Sequence, residues 1–283
     1  MPIVDLPQGA LNYRAAGPED STEPPVVFVH PILADGRLWE PVAERLASRG
    51  VRSYAPDWPL GSHRHPLDAD ADRSPAGIAA MVRDFLAALD LDGVTLVGND
   101  TGGALTQYVL DSGEPRVGRA VLMNCDAFDT FPPFPFNVVL APLRFAPAAR
   151  LLAPLMAWTR LRHSSLGFGM LSRNLPAELT RSWLQPTRED AGVRRDLAGL
   201  MRAIDPDELL AISTRLGRVT VPVTVVWGMA DTAFRPSLGR RLFEAFADAE
   251  WVEVPDARTL LALDAPDVVA EAIVAIADRA PAA

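Results

Sequence analysis

Short apolar runs alternate with longer amphipathic stretches along most of the chain, and the alternation lapses once. Ile3-Val4 and Leu11 to Arg14 read as opening strands, and Val26 to Val29 as a fully buried strand ending at His30-Pro31-Ile32. Leu38 to Ser48 has helical spacing and stops at Gly50; Val51 to Ala55 is the next strand. After a polar loop, Pro56 to Pro66, the spacing of Ile78, Met81-Val82, Phe85-Leu86 and Leu89 predicts a helix with Pro75 in its first turn. The β-branched run Thr95 to Val97 leads through a glycine-rich turn into a helical segment reaching Leu110. Val117 to Met123 is a further strand, ending at Asn124-Cys125-Asp126.

From Phe128 the pattern changes. Pro132, Pro133, Pro135, Pro142, Pro147 and Pro154 crowd a region that carries helical pieces around Leu151 to Leu161, Ala177 to Leu184 and Gly192 to Ile204, without a strand signal. Alternation then resumes with a strand Val221 to Trp227, a helix Pro236 to Phe246, a strand Trp251 to Val254 and a closing helix Pro266 to Ala280. The expected architecture is α/β. A mostly parallel sheet flanked by helices spans residues 1–127 and 212–283, and a helical cap, residues 128–211, is inserted after the sixth strand.

Composition narrows the chemistry. At 283 residues and 49% hydrophobic, the chain can build one large domain with an insertion. A formal charge of −9 with unclustered basic residues argues against a nucleic-acid partner. All 27 basic residues are arginine, so a Schiff-base lysine, covalent pyridoxal phosphate and a phosphate-loop lysine are excluded. The single cysteine, Cys125, rules out an intrachain disulfide and a thiolate metal cluster, and reads as a small buried hydrophobe. No cofactor or metal is expected. The most apolar window, Val138 to Trp158, is broken by Pro142, Arg144, Pro147, Arg150 and Pro154 and is unfit to span a bilayer, so no membrane partner is expected. Met1 to Asp5 is no signal peptide, which makes a cytoplasmic protein acting on a small molecule the expectation.

The candidate chemistry centres on Gly98-Asn99-Asp100-Thr101-Gly102-Gly103. A strand running into Gly-x-Asp-x-Gly-Gly and then a helix has the form of a nucleophile elbow, in which one side chain is held at the top of a sheet. Its neighbours must lack side chains for strand and helix to approach. The exposed residue here is Asp100, and the Thr101 N–H at the helix start would face a developing oxyanion. The plainer alternative is a βα turn with Asp100 capping the helix.

This order of elements resembles the α/β-hydrolase fold, in the capped branch with an aspartate nucleophile: haloalkane dehalogenases, soluble epoxide hydrolases and fluoroacetate dehalogenases. The anchors are the elbow, His30-Pro31, and Trp227-Gly228-Met229-Ala230-Asp231. The resemblance implies that Asp231 is the acid of the triad and that Ile32 supplies the second oxyanion donor. It also implies a catalytic histidine in Val254 to Leu260, but position 259 is threonine, and no histidine follows His163. In the aspartate mechanism that histidine activates the water that hydrolyses an alkyl-ester intermediate. The tryptophan that follows the nucleophile in dehalogenases is Thr101 here. Tyr13, Tyr54 and Tyr108 all lie outside the cap, where epoxide hydrolases carry theirs, and Thr101 to Leu105 contains none of the arginines of fluoroacetate dehalogenases.

His63, in the loop after the fourth strand, is therefore a candidate substitute base, with a surface histidine beside His65 as the alternative. His30 reads as structural, His163 as solvated, Asp126 as a turn or cap residue at a position where some relatives hold their acid, and Asp231 as free to pair with Arg258. His30, Trp58, Asp126, Phe128 and Phe131 are the candidate pocket residues, and the cluster Phe128, Phe131, Phe134 and Phe136 reads as lining the seam between cap and core, core packing being the alternative for about half of the four. The expected function is an enzyme on a small, largely apolar substrate, with Asp100 as acid, base or nucleophile in a non-hydrolytic reaction: cyclisation, elimination, isomerisation or carbon–carbon cleavage. The alternatives are an epoxide or haloalkane hydrolase using His63, or a binding protein that has kept the fold.

Overall fold

The computed structural model describes residues 1–152 and 154–279. Its sheet has eight strands: β1 (Ile3–Leu6), β2 (Gly9–Ala16), β3 (Val26–Val29), β4 (Ser53–Pro56), β5 (Val94–Asp100), β6 (Val117–Cys125), β7 (Val223–Gly228) and β8 (Ala249–Val254). Their order is β1-β2-β4-β3-β5-β6-β7-β8, antiparallel through β1, β2 and β4 and parallel from β4 onward. Every residue of β3, β5 and β7 is buried, because a parallel sheet covered by helices on both faces leaves no strand face for water. That is why these strands read in the sequence as unbroken apolar runs.

Three helices of the first half need labels: α1 (Glu40–Ala47), α2 (Pro75–Ala88) and α3 (Thr101–Asp111). Ser74 caps α2, its Oγ accepting from the Gly77 N–H at 3.0 Å, and Pro75 occupies the first turn. Helix α2 packs on α3, and α1 packs on the closing helix, Pro266–Ala277. The end expected for that helix, Ala280, lies outside the described residues. Strand order changes direction at β3, which lies between β4 and β5, so a crevice opens beyond the carboxyl ends of β3 and β5. His30-Pro31-Ile32 and Asp100-Thr101 meet there.

The insertion after β6 is helical from Phe136 to Arg218 and contains no strand among the described residues. One expected helix, Leu151 to Leu161, is instead a helix Ala146–Leu152, a single tight turn Leu155–Ala157 and a short helix Thr159–Arg162. Pro154 accounts for the break, since its ring denies the backbone a donor and crowds the preceding turn. The second half of the cap is more regular, with helices Ala177–Trp183 and Ala191–Ala203; a further helix, Pro206–Ser213, straddles the boundary expected near residue 212.

That second half is fastened to the loop after β4. Ser62 Oγ donates to the Trp183 carbonyl (2.7 Å), Thr187 Oγ1 to the Gly61 carbonyl (2.5 Å), and the Leu67 N–H to Asp196 (2.8 Å). Asp196, buried on the cap helix, also accepts from Arg73 Nε at 2.7 Å and Arg195 Nη2 at 2.9 Å. The His63 ring, Arg73, the Leu67 N–H and Arg195 together outweigh burial and hold its carboxyl at about 2.

Candidate active site

Strand β5 runs without interruption to Asp100, which sits at φ 56° and ψ −128°, a left-handed conformation that costs a non-glycine residue about 1–3 kcal/mol. Crowding around the turn holds it there. A Cβ on Gly102 would overlap the Val29 carbonyl oxygen, one on Gly98 the Thr106 hydroxyl, and one on Gly103 the Cys125 side chain. We expect Gly102→Ala to destabilise the protein by more than about 3 kcal/mol, because its obstacle is backbone and has no rotamer to move. A thermal unfolding midpoint within a degree or two of wild type would contradict this packing account.

Asp100 is buried, and its Oδ1 accepts from the Thr101 N–H at 2.5 Å and from Thr101 Oγ1 at 3.0 Å. Its other oxygen makes no hydrogen bond among the described residues. Burial pushes the carboxyl up to about 6, with the charge of Asp231 adding and the two Thr101 bonds opposing. The Thr101 N–H thus faces the aspartate's own oxygen. The Ile32 N–H donates to nothing among the described residues, and Ile32 lies beside Asp100 at the cavity floor.

Asp231 follows β7. Its Oδ1 accepts from the Ala233 and Phe234 N–H groups at 2.8 and 3.1 Å, and its Oδ2 from Asn124 Nδ2 at 2.8 Å and Thr259 Oγ1 at 2.7 Å. Burial still raises its pKa against all four bonds. The expected pairing with Arg258 does not form; that guanidinium donates to the Gly169 carbonyl at 2.9 Å. Thr259 is buried, and its carbonyl accepts from Asn99 Nδ2 at 2.8 Å, which ties this segment to the elbow. A threonine hydroxyl therefore bonds Asp231 at the position where the family resemblance implies an imidazole.

Over the elbow lies a cavity of about 230 Å³, floored by Ile32, Leu33, Asp100 and Thr101 and walled by cap residues such as Phe136, Leu143, Met156 and Phe168. Among the described residues, Asp100, Thr101 and Thr187 are the only polar side chains in its lining, and no histidine, tyrosine, tryptophan or arginine reaches it. The sequence profile of the alpha/beta hydrolase family matches residues 26–272. The chain belongs to that family.

This α/β hydrolase is 25% identical to haloalkane dehalogenase 2 of Mycobacterium tuberculosis (strain ATCC 25618 / H37Rv) over 95% of its own length and 92% of the relative's. It is 28% identical to 2-hydroxy-6-oxononadienedioate/2-hydroxy-6-oxononatrienedioate hydrolase 1 of Dechloromonas aromatica (strain RCB), over 73% of this chain and 69% of that one. Among solved structures, the enol-lactonase from Burkholderia xenovorans LB400 superposes with a TM-score of 0.74 at 20% identity, covering 98% of this chain and all of that one, a likeness of fold. Among the described residues no helix is long and apolar enough to cross a membrane.

In this hydrolase several expected site residues lie elsewhere. His63 is buried and turned away from the cavity: Nδ1 accepts from the Gly61 N–H at 3.3 Å, and Nε2 lies 3.3 Å from Asp196 Oδ2. Both ring nitrogens belong to the cap fastening, and neither faces Asp100. Trp58 donates from its indole to the Phe28 carbonyl at 2.9 Å and packs on Phe85, inside the helix–sheet layer. Phe128 is buried under the Arg241 guanidinium, 3.7 Å from its ring centre, and Phe131 is buried beside the lining residue Pro132. His30 is buried and bonded through Nδ1 to the Pro31 carbonyl at 2.8 Å, and burial lowers its pKa. His163 is not simply solvated, since its Nε2 meets Thr180 Oγ1 at 2.8 Å. Asp126 caps nothing among the described residues: it is buried with neither carboxyl oxygen bonded to another side chain or loop there, and burial, with the Asp100 charge, raises its pKa. Burial likewise raises the Cys125 thiol. The aliphatic lining escaped sequence reading because the short, proline-broken cap helices leave no periodic face to recognise.

Proposed function

We propose that this α/β hydrolase acts on a small, uncharged, lipophilic electrophile of the epoxide or haloalkane type, with Asp100 attacking carbon to form an alkyl ester. The posture of Asp100 carries this reading. Thr101 holds one oxygen while the other is free at the floor of an apolar cavity. Attack forms the oxygen–carbon bond as the carbon–halogen or ring carbon–oxygen bond breaks; a halide leaves as an anion, and an opened epoxide takes its proton from water. The oxygen bonded to Thr101 then becomes the ester carbonyl, with the Thr101 and Ile32 N–H groups as the donors that would meet its oxyanion. The lining's lack of any cation argues against carboxylate substrates. The dehalogenase relative supports nucleophilic use of the elbow.

Breakdown of that ester has no imidazole to drive it, so the covalent intermediate is expected to persist. The test is intact-mass and peptide analysis after incubation with medium-chain terminal epoxides and primary bromoalkanes. A stoichiometric adduct on Asp100 is expected. Turnover that leaves Asp100 unmodified and unlabelled in ¹⁸O-water would favour a second reading, in which Asp100 shuttles a proton in an isomerisation, elimination or cyclisation. The absent imidazole and a carboxyl near 6 are the observations behind that alternative. With neither adduct nor product, and ligand binding unchanged in Asp100→Asn, the protein is a binder that has kept the fold.

Only the carboxylate form attacks. The rate of adduct formation should rise about tenfold per pH unit below about 6 and level off above it. A rate that is flat through this window would place the reactive group elsewhere.

A further inference from the structure

Isolated apolar residues on a protein surface are ordinary, but here they are concentrated. Of the ten large hydrophobic side chains exposed among the described residues, eight lie in the first half of the cap: Phe134, Val138, Phe145, Leu151, Leu155, Trp158, Leu161 and Leu166. Phe134, Leu151 and Trp158 are each about three-quarters exposed. The other two, Met1 and Ile3, are at the chain start.

The charge of the same segment is equally one-sided. Between Asp129 and Glu178 the chain has five arginines and neither aspartate nor glutamate, although the whole protein carries −9. Arg144, Arg150, Arg160 and Arg173 are exposed, and none takes part in an ion pair among the described residues. Arg162 is buried, donating to the Met156, Ala157 and Ala177 carbonyls and to threonine hydroxyls.

We propose that this face of the cap docks on the surface of an anionic lipid bilayer and that the cavity takes its substrate from the lipid. Leucine, phenylalanine and tryptophan side chains would enter the boundary between headgroups and acyl chains while arginines extend to lipid phosphates. The acidic remainder of the protein is repelled by such a surface, which turns the cap toward it. Leu155, Leu161 and Leu166 both line the cavity and reach the exterior, so the docking face is continuous with the cavity wall. A lipophilic molecule would pass inward along leucines. No helix among the described residues is long and apolar enough to cross a membrane, and a surface-docked face needs none.

Charge argues against a second copy as the cover. A two-fold dimer through this patch would set its arginines against the same arginines with no carboxylate between them.

The test is sedimentation with vesicles of phosphatidylcholine and phosphatidylglycerol, beside vesicles of phosphatidylcholine alone. Binding to the mixed vesicles at low salt is expected, at least about tenfold weaker without phosphatidylglycerol or at high salt. The double variants Leu151→Ser/Trp158→Ser and Arg150→Ser/Arg160→Ser should each weaken it by about tenfold or more, with unchanged unfolding midpoints because all four side chains are exposed. Of the six tryptophans, Trp39, Trp58, Trp183 and Trp227 are fully buried and Trp251 is half-buried on the edge strand β8 beneath Arg240, so quenching of the tryptophan fluorescence by brominated lipid should report Trp158 and disappear in Trp158→Phe while binding persists. Asp100→Asn should bind vesicles like wild type, which separates this proposal from the chemistry of Asp100.

Failure of the folded protein to bind the mixed vesicles at low salt would overturn the proposal. So would binding that survives both double variants, or a concentration-dependent dimer in sedimentation velocity that Leu151→Ser/Trp158→Ser dissolves.

Discussion

Asp100→Asn is expected to abolish covalent capture and, at neutral pH, to make the protein more stable by about 3 kcal/mol. The folded state holds the Asp100 proton up to about 6, against an ordinary value of 3.8, so ionising this carboxyl opposes folding. The contribution of the protonated form is fully present below the unfolded value and is lost as pH rises through about 6. The difference between the two values corresponds to about 3 kcal/mol once ionisation is complete. An asparagine never ionises, and its carbonyl can still accept from Thr101. Urea unfolding of both proteins should therefore show near-equal stability at about pH 4 and the full gain above about pH 7. A variant less stable than wild type at both pH values would mean that the carboxylate is structurally satisfied.

Thr259→His is the complementary experiment, a gain of chemistry. Thr259 Oγ1 stands 2.7 Å from Asp231, and its backbone is bonded to Asn99 of the elbow. An imidazole at this position would give Asp231 its Nδ1–H and present Nε2 toward an ester on Asp100. Breakdown of the adduct should accelerate by about 10²–10⁴, the usual contribution of a positioned base. The site is buried, so the larger ring should cost about 1–3 kcal/mol in overpacking. Thr259→Phe separates bulk from basicity. Decay of the Asp100 adduct followed by mass spectrometry must be fast in the histidine variant and slow in the phenylalanine one; equal decay would show that position 259 does not command the reacting water.

The elbow was legible in sequence because its glycines record steric necessity. Gly98, Gly102 and Gly103 each sit where a Cβ would overlap a named neighbour, and only a strand driven straight into a helix creates those contacts. The parallel strands were legible for a similar reason, since burial on both faces leaves an unbroken apolar run. Long-range polar contacts leave no such trace. His63 sits in a loop of polar composition, yet it is buried by Asp196, 133 positions away on a cap helix. Trp58 and Phe128 stand out in the sequence as aromatic residues, while the cavity wall is built mainly of leucine from segments too short to show a period. Asp231 follows β7, where its place after an apolar run puts it, but its side-chain partners, Thr259 and Asn124, arrive from two other strand ends.

The fastening at Asp196 has a consequence for access. Lifting the rear of the cap would part Asp196 from the imidazole, the guanidinium and the Leu67 N–H that it holds, so those contacts are lost together. Ser172 and the Arg173 N–H peg the cap again at Asp264, but among the described residues no such tie reaches the core from the proline-broken stretch between Pro132 and Pro154. The roof over Asp100 thus behaves as an awning pegged along its back edge, and a guest molecule has one eave to pass beneath, the greasy one fringed with arginine.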